Sequence, residues 1–187
     1  MTKVDLRFPH NYDVEPDPEL PPDTGRDRQI EFTEEGLHPG PSVIIRVHSA
    51  SGGSWVGVFA GEDAPGTLTG IYSCPDPDRI CVVAGGRGYL VSAHDPTTWS
   101  PIETYPIIDI ASVVDCSVLV LANFTHLVGI GKVGVVWETE RLSYDGIKLT
   151  EATRQQIRGL AWSAPRQRWV EFTVDTMTGR HRGGARP

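Results

Sequence analysis

The sequence lacks long apolar runs, and none reaches the roughly 18 residues that a membrane-spanning helix requires. Its first residues also lack the basic and then apolar pattern of a secretory signal. Basic residues are the minority, since 17 lysines and arginines stand against 24 acidic residues and the formal net charge is −7. Such a charge disfavours nucleic acid and anionic membranes as partners. We therefore expect a soluble, cytoplasmic protein whose partner is another protein.

Cysteine and metal-binding patterns are also scarce. The three cysteines are Cys74, Cys81 and Cys116, an odd number that indicates reduced thiols when no export signal is present. The spacing of Cys74 and Cys81 matches no common zinc pattern, and no two of the six histidines are four residues apart. We expect buried structural thiols, no metal site and no cofactor.

The usual signatures of catalysis are missing as well, because the sequence contains neither the HExxH metal motif nor the GxSxG nucleophile elbow. Gly129–Gly134 fits GxGxxG, but a strand-like VVWETE follows it where a dinucleotide site needs a helix N-terminus. The best candidate pair for general base chemistry is His94 with Asp95. Loop carboxylates nearby in the sequence are Asp76 and Asp78. A non-enzymatic role is therefore the first hypothesis.

The first 36 residues differ in composition from the rest. Ten acidic residues stand against four basic ones, and five prolines disfavour helices and central strands. We interpret residues 1–36 as an acidic, proline-rich arm that is solvated or loosely docked, with Ile30 and Phe32 anchoring its end to the core. Residues 37–180 are predicted to form a single β-repeat domain, and residues 181–187 a basic, glycine-rich tail.

The stretch from Ser117 to Thr150 carries the clearest strand pattern. Within it, Val118–Ala122 is an apolar run typical of a strand buried on both faces. Val135 and Trp137 alternate with Val136 and the following glutamate, so we expect Val135 and Trp137 to share the inward face. Asp145–Gly146 predicts a tight hairpin, since a type I′ turn needs positive φ at both central residues. The stretch is thus predicted to be an antiparallel meander.

A repeat of strand–turn–strand units runs along the chain. The units begin near Val43, Ile80, Val118 and Ile157, at intervals of 37, 38 and 39 residues. Periods of this length are typical of propeller blades and sheet arrays. The predicted fold is all-β, an antiparallel meander of four repeats that form a small β-propeller-like structure. A two-sheet β-sandwich is the alternative.

One unit resembles a known repeat in its detail. Residues 80–99, ICVVAGGRGYLVSAHDPTTW, resemble a β-propeller blade, with an apolar inner strand, a glycine turn, an aromatic second strand, an Asp-Pro turn and a closing tryptophan. In the predicted fold the units pack through buried aromatic and apolar side chains. These are Trp55, Tyr89, Trp137, Phe172 and the runs 80–83 and 118–121. The run from WETERLSYDGIKLT through DTMTGRHRGG also resembles segments of uncharacterised bacterial β-rich proteins, and this implies no activity.

Candidate binding residues lie in or beside the predicted turns and loops. They are Arg87, Tyr89, His94, Trp99 and His126. The first functional hypothesis is a non-enzymatic protein-interaction or ligand-binding module whose acidic arm docks a basic partner. The alternatives are an immunity-type protein that neutralises a basic toxin, and a hydrolase that uses the loop residues His94 and Asp95.

Overall fold

The structure is a computed structural model that describes residues 2–19, 28–33, 40–62 and 64–185. The chain divides into two compact units, Met1–Tyr105 and Pro106–Pro187. The predicted boundary at residue 36 lies outside the described residues, and the arm, domain and tail boundaries stay predictions. Within the described ranges no helix is long and apolar enough to cross a membrane.

The first unit contains two sheets. Its strands are β1 (Lys3–Asp5), β2 (Tyr12–Pro16), β3 (Arg28–Phe32), β4 (Val43–Ser49), β5 (Ser54–Phe59), β6 (Gly70–Ser73), β7 (Arg79–Ala84), β8 (Arg87–Ser92) and β9 (Trp99–Ile102). One sheet has the order β1-β6-β7-β8-β9 and the other the order β2-β4-β5-β3. All pairs are antiparallel except β1 with β6 and β3 with β5.

The second unit contains two four-stranded antiparallel meanders. Its strands are β10 (Asp109–Val113), β11 (Val118–Ala122), β12 (Leu127–Gly131), β13 (Gly134–Glu138), β14 (Ile147–Ala152), β15 (Gln156–Ser163), β16 (Arg168–Asp175) and β17 (His181–Gly183). The sheets have the orders β10-β11-β12-β13 and β14-β15-β16-β17. A single 3₁₀ turn, Val114–Cys116, joins β10 to β11.

The all-β, four-repeat prediction is confirmed. Each predicted unit is the central hairpin of one sheet: β4–β5, β7–β8, β11–β12 and β15–β16. The described residues contain no α-helix. The strands fold into four small blade-like sheets of four or five strands each, and not into the two sheets of the sandwich alternative.

The N-terminal segment forms three strands, Lys3–Asp5, Tyr12–Pro16 and Arg28–Phe32, so the loosely docked interpretation is wrong for those strands, and the role of the segment as an arm stays a prediction. β1 and β3 add parallel to β6 and β5, and β2 adds antiparallel to β4. The prolines are compatible with this because all three strands lie at sheet edges, where a missing amide donor is tolerated, and Pro16 ends β2. Phe32 is fully buried, which confirms the predicted anchor.

The predicted hairpin at Asp145–Gly146 is wrong. β13 ends at Glu138 and β14 begins at Ile147, so the Asp-Gly pair lies in the segment that links two sheets. Gly146 does have the positive φ that the pattern requires, +123°. Its amide donates to the carbonyl of Phe124 in the β11–β12 loop, and its carbonyl accepts from the amide of Trp162 in β15. These backbone hydrogen bonds therefore reach other segments of the chain and do not close a hairpin.

Each unit has its own apolar core, built from alternating strand positions. In β4, Val43, Ile45 and Val47 are buried while the residues between them are more exposed. The four aromatic residues predicted to be in the core are confirmed as buried; they are Trp55, Tyr89, Trp137 and Phe172. The first and second of these belong to the core of the first unit, the others to that of the second.

Candidate functional site

His94 lies at the centre of a polar cluster in the first unit, in the loop that follows β8. Its Nδ1 is hydrogen-bonded to Ser49 Oγ and lies 3.1 Å from Ser51 Oγ. Its Nε2 lies 2.8 Å from Asp78 Oδ1. The side-chain amide of Asn11 donates to the same carboxylate oxygen at 2.8 Å. We call Asn11, Ser49, Ser51, Asp78 and His94 the His94 cluster.

Backbone hydrogen bonds hold the loops of the His94 cluster together. The amide of Asn11 donates to the carbonyl of Pro77 at 2.9 Å, and the amide of Ala50 donates to the carbonyl of Asn11 at 2.9 Å. The amide of Ala93 donates to the carbonyl of Asp78 at 2.8 Å. Four segments that are distant in sequence therefore meet at one place, where the turns of the two sheets of this unit converge.

The connectivity of the cluster is that of a serine nucleophile with its base and its orienting acid. A neutral imidazole that donates its Nε2–H to Asp78 accepts from the Ser49 hydroxyl at Nδ1. The side chains of His94 and Asp78 are 34% and 45% exposed, so water screens their interaction. The imidazole is placed to accept a proton from the serine hydroxyl, but it lies at an open surface and not in a pocket from which water is excluded.

Asp95, the predicted partner of His94, has a different set of contacts. Its Oδ1 accepts from the amide and the hydroxyl of Thr97 at 3.1 and 2.6 Å. Its Oδ2 accepts from the Thr98 hydroxyl at 3.1 Å. The carboxylate beside the imidazole is that of Asp78, one of the two loop carboxylates noted in the sequence. Asp95 caps the loop before β9, which is the ordinary role of Asp ahead of proline.

Two of the other predicted binding residues belong to the packing of the first unit. Tyr89 is fully buried, and its hydroxyl donates to the carbonyl of Ala60 at 2.6 Å. Trp99 packs against the core, with its ring centroid 5.6 Å from that of Phe32 and 5.9 Å from that of Tyr89. Their side chains thus face the interior, and a ligand-binding role for either stays a prediction.

Arg87 and His126 make local polar contacts. The Arg87 guanidinium donates to Glu62 at 2.7 Å and stacks 4.0 Å from the ring centroid of Tyr105. The Tyr105 hydroxyl also donates to Glu62, and this hydrogen bond raises the pKa of the phenol. His126 belongs to the second unit, where its Nε2 lies 3.1 Å from Glu138 Oε1. Their binding roles also stay predictions.

No group of three or more histidine, cysteine, aspartate or glutamate side chains is arranged to hold a metal ion among the described residues. The three cysteines have the free thiols expected from the sequence, with Cys74 and Cys81 buried and Cys116 partly so.

A surface that the sequence did not reveal lies on the β12–β13 hairpin. Val133, Val135 and Val136 are 91%, 64% and 49% exposed, and we call these three residues the valine edge. Val135 was predicted to face inward with Trp137, and this is wrong for Val135. The register shifts next to Gly129, which pairs with Trp137, whereas the following residue of β12 pairs with Val135. The extra residue, Val136, breaks the alternation and leaves only Trp137 buried.

Val135 and Val136 lie on a strand at the end of its sheet, since β13 pairs with β12 alone in the described part of the chain, and Val133 lies in the turn before that strand. Natural edge strands usually carry charge or proline, which discourages pairing with another chain. The other seven described edge strands do so, through Asp5 in β1, Asp13 in β2, Glu31 in β3, Pro101 in β9, Asp109 in β10, Lys148 in β14 and Arg182 in β17. In β13 the one charge is Glu138, at its last residue, much as β10 has only Asp109, at its first, and residues 134–137 are uncharged.

Comparisons with known proteins give no family. No protein-family model matches the chain, and no curated protein matches it. Among solved structures, the N-terminal domain of Nup159 is 11% identical, with all of this chain covering 55% of that one and a TM-score of 0.43. The WD40 domain of SCAP from fission yeast is 13% identical, with 73% of this chain covering 38% of that one and a TM-score of 0.31.

Both of these structural neighbours are β-propellers. The chain spans little more than half the length of the first and less of the second. With TM-scores below 0.5, neither adds to what the chain's own sheets establish. The chain is an all-β protein of four small sheets, and the argument for its function rests on its own surfaces.

Proposed function

We propose that this protein is a non-enzymatic protein-interaction module and that it binds its partner through the valine edge. The observation that carries the proposal is the exposure of Val135 and Val136 on an edge strand and of Val133 in the turn before it. Covering a valine-sized side chain completely contributes about 1.5–3 kcal/mol. An edge strand also offers unpaired backbone amides and carbonyls, which an added strand can satisfy.

The acidic character of the chain favours a partner with basic groups. The exposed residues of β2 include Asp13 and Glu15, and Glu15 is already paired with Arg46 at 2.7 Å. This charge supports the idea of a basic partner, including a basic toxin in the immunity-type alternative, through the rate of encounter more than through affinity. The docking role of the acidic segment stays a prediction.

The interaction proposal is tested by placing a charge in the valine edge. Val135→Lys should abolish capture of the partner from native lysate, because burying an unpaired ammonium group opposes binding. Met177→Lys is the matched control, since Met177 is 62% exposed and lies between β16 and β17 on another sheet. It should capture the partner as the wild type does. Equal capture by Val135→Lys and wild type would rule out the valine edge as the binding surface.

The His94 cluster supports hydrolysis as a second candidate function. Ser49, His94 and Asp78 are hydrogen-bonded in the order that proton transfer from a serine hydroxyl requires. We rank this second because His94 and Asp78 are substantially exposed, so the cluster lacks the desolvation that strengthens catalytic electrostatics.

An ester substrate with a good leaving group separates the two candidates. If the cluster is catalytic, wild-type protein should hydrolyse p-nitrophenyl acetate faster than His94→Ala and Asp78→Asn, whereas Asp95→Asn should retain the wild-type rate. Circular dichroism of all four proteins controls for folding. Equal rates in wild type and His94→Ala would leave the cluster with a purely structural role, in which it ties the turns of the first unit together.

A further inference from the structure

We infer that the partner that fits the valine edge is a second copy of this chain, paired antiparallel through β13 about a two-fold axis. This inference rests on the proposed role of the valine edge in binding, and it adds the identity of the partner. Two properties of the β12–β13 hairpin carry it: its exposed valines and the distribution of charge at the two ends of β13.

The charges at the two ends of β13 have opposite signs. Lys132 precedes the strand, Glu138 ends it and Glu140 follows, and all three side chains are exposed. In a two-fold antiparallel pair each contact occurs twice, because residue i of one copy meets residue j of the other and the reverse. A register centred on Val135 places Lys132 opposite Glu138 of the second copy, and one centred on Val136 places it opposite Glu140.

Parallel pairing of two copies in register gives the opposite result. It would bring Lys132 against Lys132 and Glu138 against Glu138, and like charges directly across a strand pair are destabilising. The charge pattern therefore selects the antiparallel orientation. In that orientation the valines of the two copies lie together at the centre, and the free backbone groups of β13 gain partners.

The size of the contact determines how strong the dimer can be. Stable interfaces bury about 1,200–2,000 Å², and a single pair of five-residue strands buries less than that. The dimer is therefore expected to be weak and to form as the protein concentration rises. Sedimentation equilibrium of the full chain over a concentration series should show the mass rising from 20.5 kDa towards twice that value.

Charge exchange gives a test that misfolding cannot imitate. Lys132→Glu alone places glutamate against glutamate twice in the dimer, and Glu138→Lys alone places lysine against lysine twice, so each variant should dimerise at least several-fold more weakly. A mixture of the two variants should form a mixed dimer at least as readily as wild type, because both contacts are then between lysine and glutamate. Restoration by Glu140→Lys in place of Glu138→Lys would support the same pairing in the register centred on Val136.

The outcomes distinguish self-pairing through β13 from the proposal that the valine edge binds a partner. A mass of 20.5 kDa at every concentration, together with loss of a lysate partner in Val135→Lys, would overturn self-pairing and leave the valine edge as a surface for a different protein. A constant monomer mass with unchanged capture by Val135→Lys would overturn both. A dimer that Val135→Lys and both single charge variants leave intact would overturn the β13 interface, and a dimer restored by mixing would establish it.

Discussion

Trp137 is one of the residues that join the two sheets of the second unit. Its side chain is 7% exposed, and its Nε1–H donates to the carbonyl of Thr176 at 2.9 Å. Gly129 and Gly179 leave the space that the indole ring occupies, since a Cβ at either position would lie within 3 Å of it. The ring thus fills a site that was shaped by two glycines from different sheets.

Replacing Trp137 with alanine should lower the free energy of unfolding by about 3–5 kcal/mol, because it leaves a cavity and an unpaired buried carbonyl at Thr176. Urea denaturation followed by fluorescence of the remaining tryptophans measures this change. Trp162→Ala is a suitable comparison, because Trp162 is only partly buried and its ring contacts Trp169 on the same sheet. Equal losses in the two variants would contradict the joining role of Trp137.

Gly146 gives a second test at the scale of a single residue. Its φ of +123° is strained for any side chain, and a Cβ there would lie 3.2 Å from the Trp169 ring. Gly146→Val should therefore destabilise the protein by about 1–3 kcal/mol, a magnitude typical of backbone strain. Thermal unfolding measures the effect, and Asp145→Val is the neighbouring control because Asp145 does not have a positive φ.

At the scale of an element, β3 shows how the N-terminal segment contributes to the fold. Phe32 ends this strand, stacks on Phe59 with ring centroids 4.2 Å apart, and is fully buried. Removing residues 1–36 would remove three strands from two sheets as well as acidic charge. Such a truncation therefore cannot test docking by the acidic segment alone, and single charge reversals such as Asp13→Lys are the better probe.

Phe32→Ala should lower the free energy of unfolding by about 3–5 kcal/mol, the range for deleting a buried aromatic side chain. Denaturant unfolding measures the loss. Ile30→Ala, two residues earlier on the same strand and only partly buried, should be milder. A wild-type stability for Phe32→Ala would mean that β3 does not pack on its sheet in solution.

At the scale of the whole molecule, buried thiol and phenol groups are expected to lower the stability of the fold at alkaline pH. Burial raises the pKa of the Cys81 thiol from 9.0 to about 12 and also raises the pKa values of Cys74 and Tyr12. Well below pH 9 these groups are neutral in folded and unfolded chains alike, so burying them costs no stability through ionisation. As the pH rises further, the unfolded chain loses protons that the folded chain retains, so stability falls.

The fall should approach 1.4 kcal/mol per pH unit for the Cys81 thiol between about pH 9 and 12, and the raised pKa of Cys74 acts in the same direction. Urea midpoints in reducing buffer at pH 8 and pH 10.5 measure it. A Cys74→Ala, Cys81→Ala variant should show a shallower decline, although it starts from a lower stability because two buried side chains are smaller. An equally steep decline in that variant would assign the pH dependence to other groups.

Much of the architecture could be predicted because its causes are local. The four central hairpins follow from β-branched alternation and glycine turns within about 15 residues, and Val43, Ile80, Val118 and Ile157 do mark them. The edge strands were harder to predict, since β2 and β3 have only five residues each and pair with residues 29 to 37 and 27 positions away along the chain.

The candidate sites depend on contacts that no local pattern encodes. His94 was paired with Asp95 in the sequence analysis as a candidate for general base chemistry, but the carboxylate beside its ring is that of Asp78, because the β7–β8 hairpin brings the two turns together. The valine edge was missed because one extra residue in β13 reverses the inside–outside order of Val135. Such a bulge follows from the fit of Trp137 against Gly129, which lies on another strand.

The amino-acid sequence by itself determined the β-class, the fourfold repeat, the buried aromatic residues, the acidic charge and the free thiols, because each follows from composition or from spacing of a few residues. Only the tertiary structure decided which strands end the sheets, which side of β13 meets water and which side chains surround His94. Those features depend on pairing and packing between distant segments, and a shift of a single residue in one strand exchanges its buried and exposed faces.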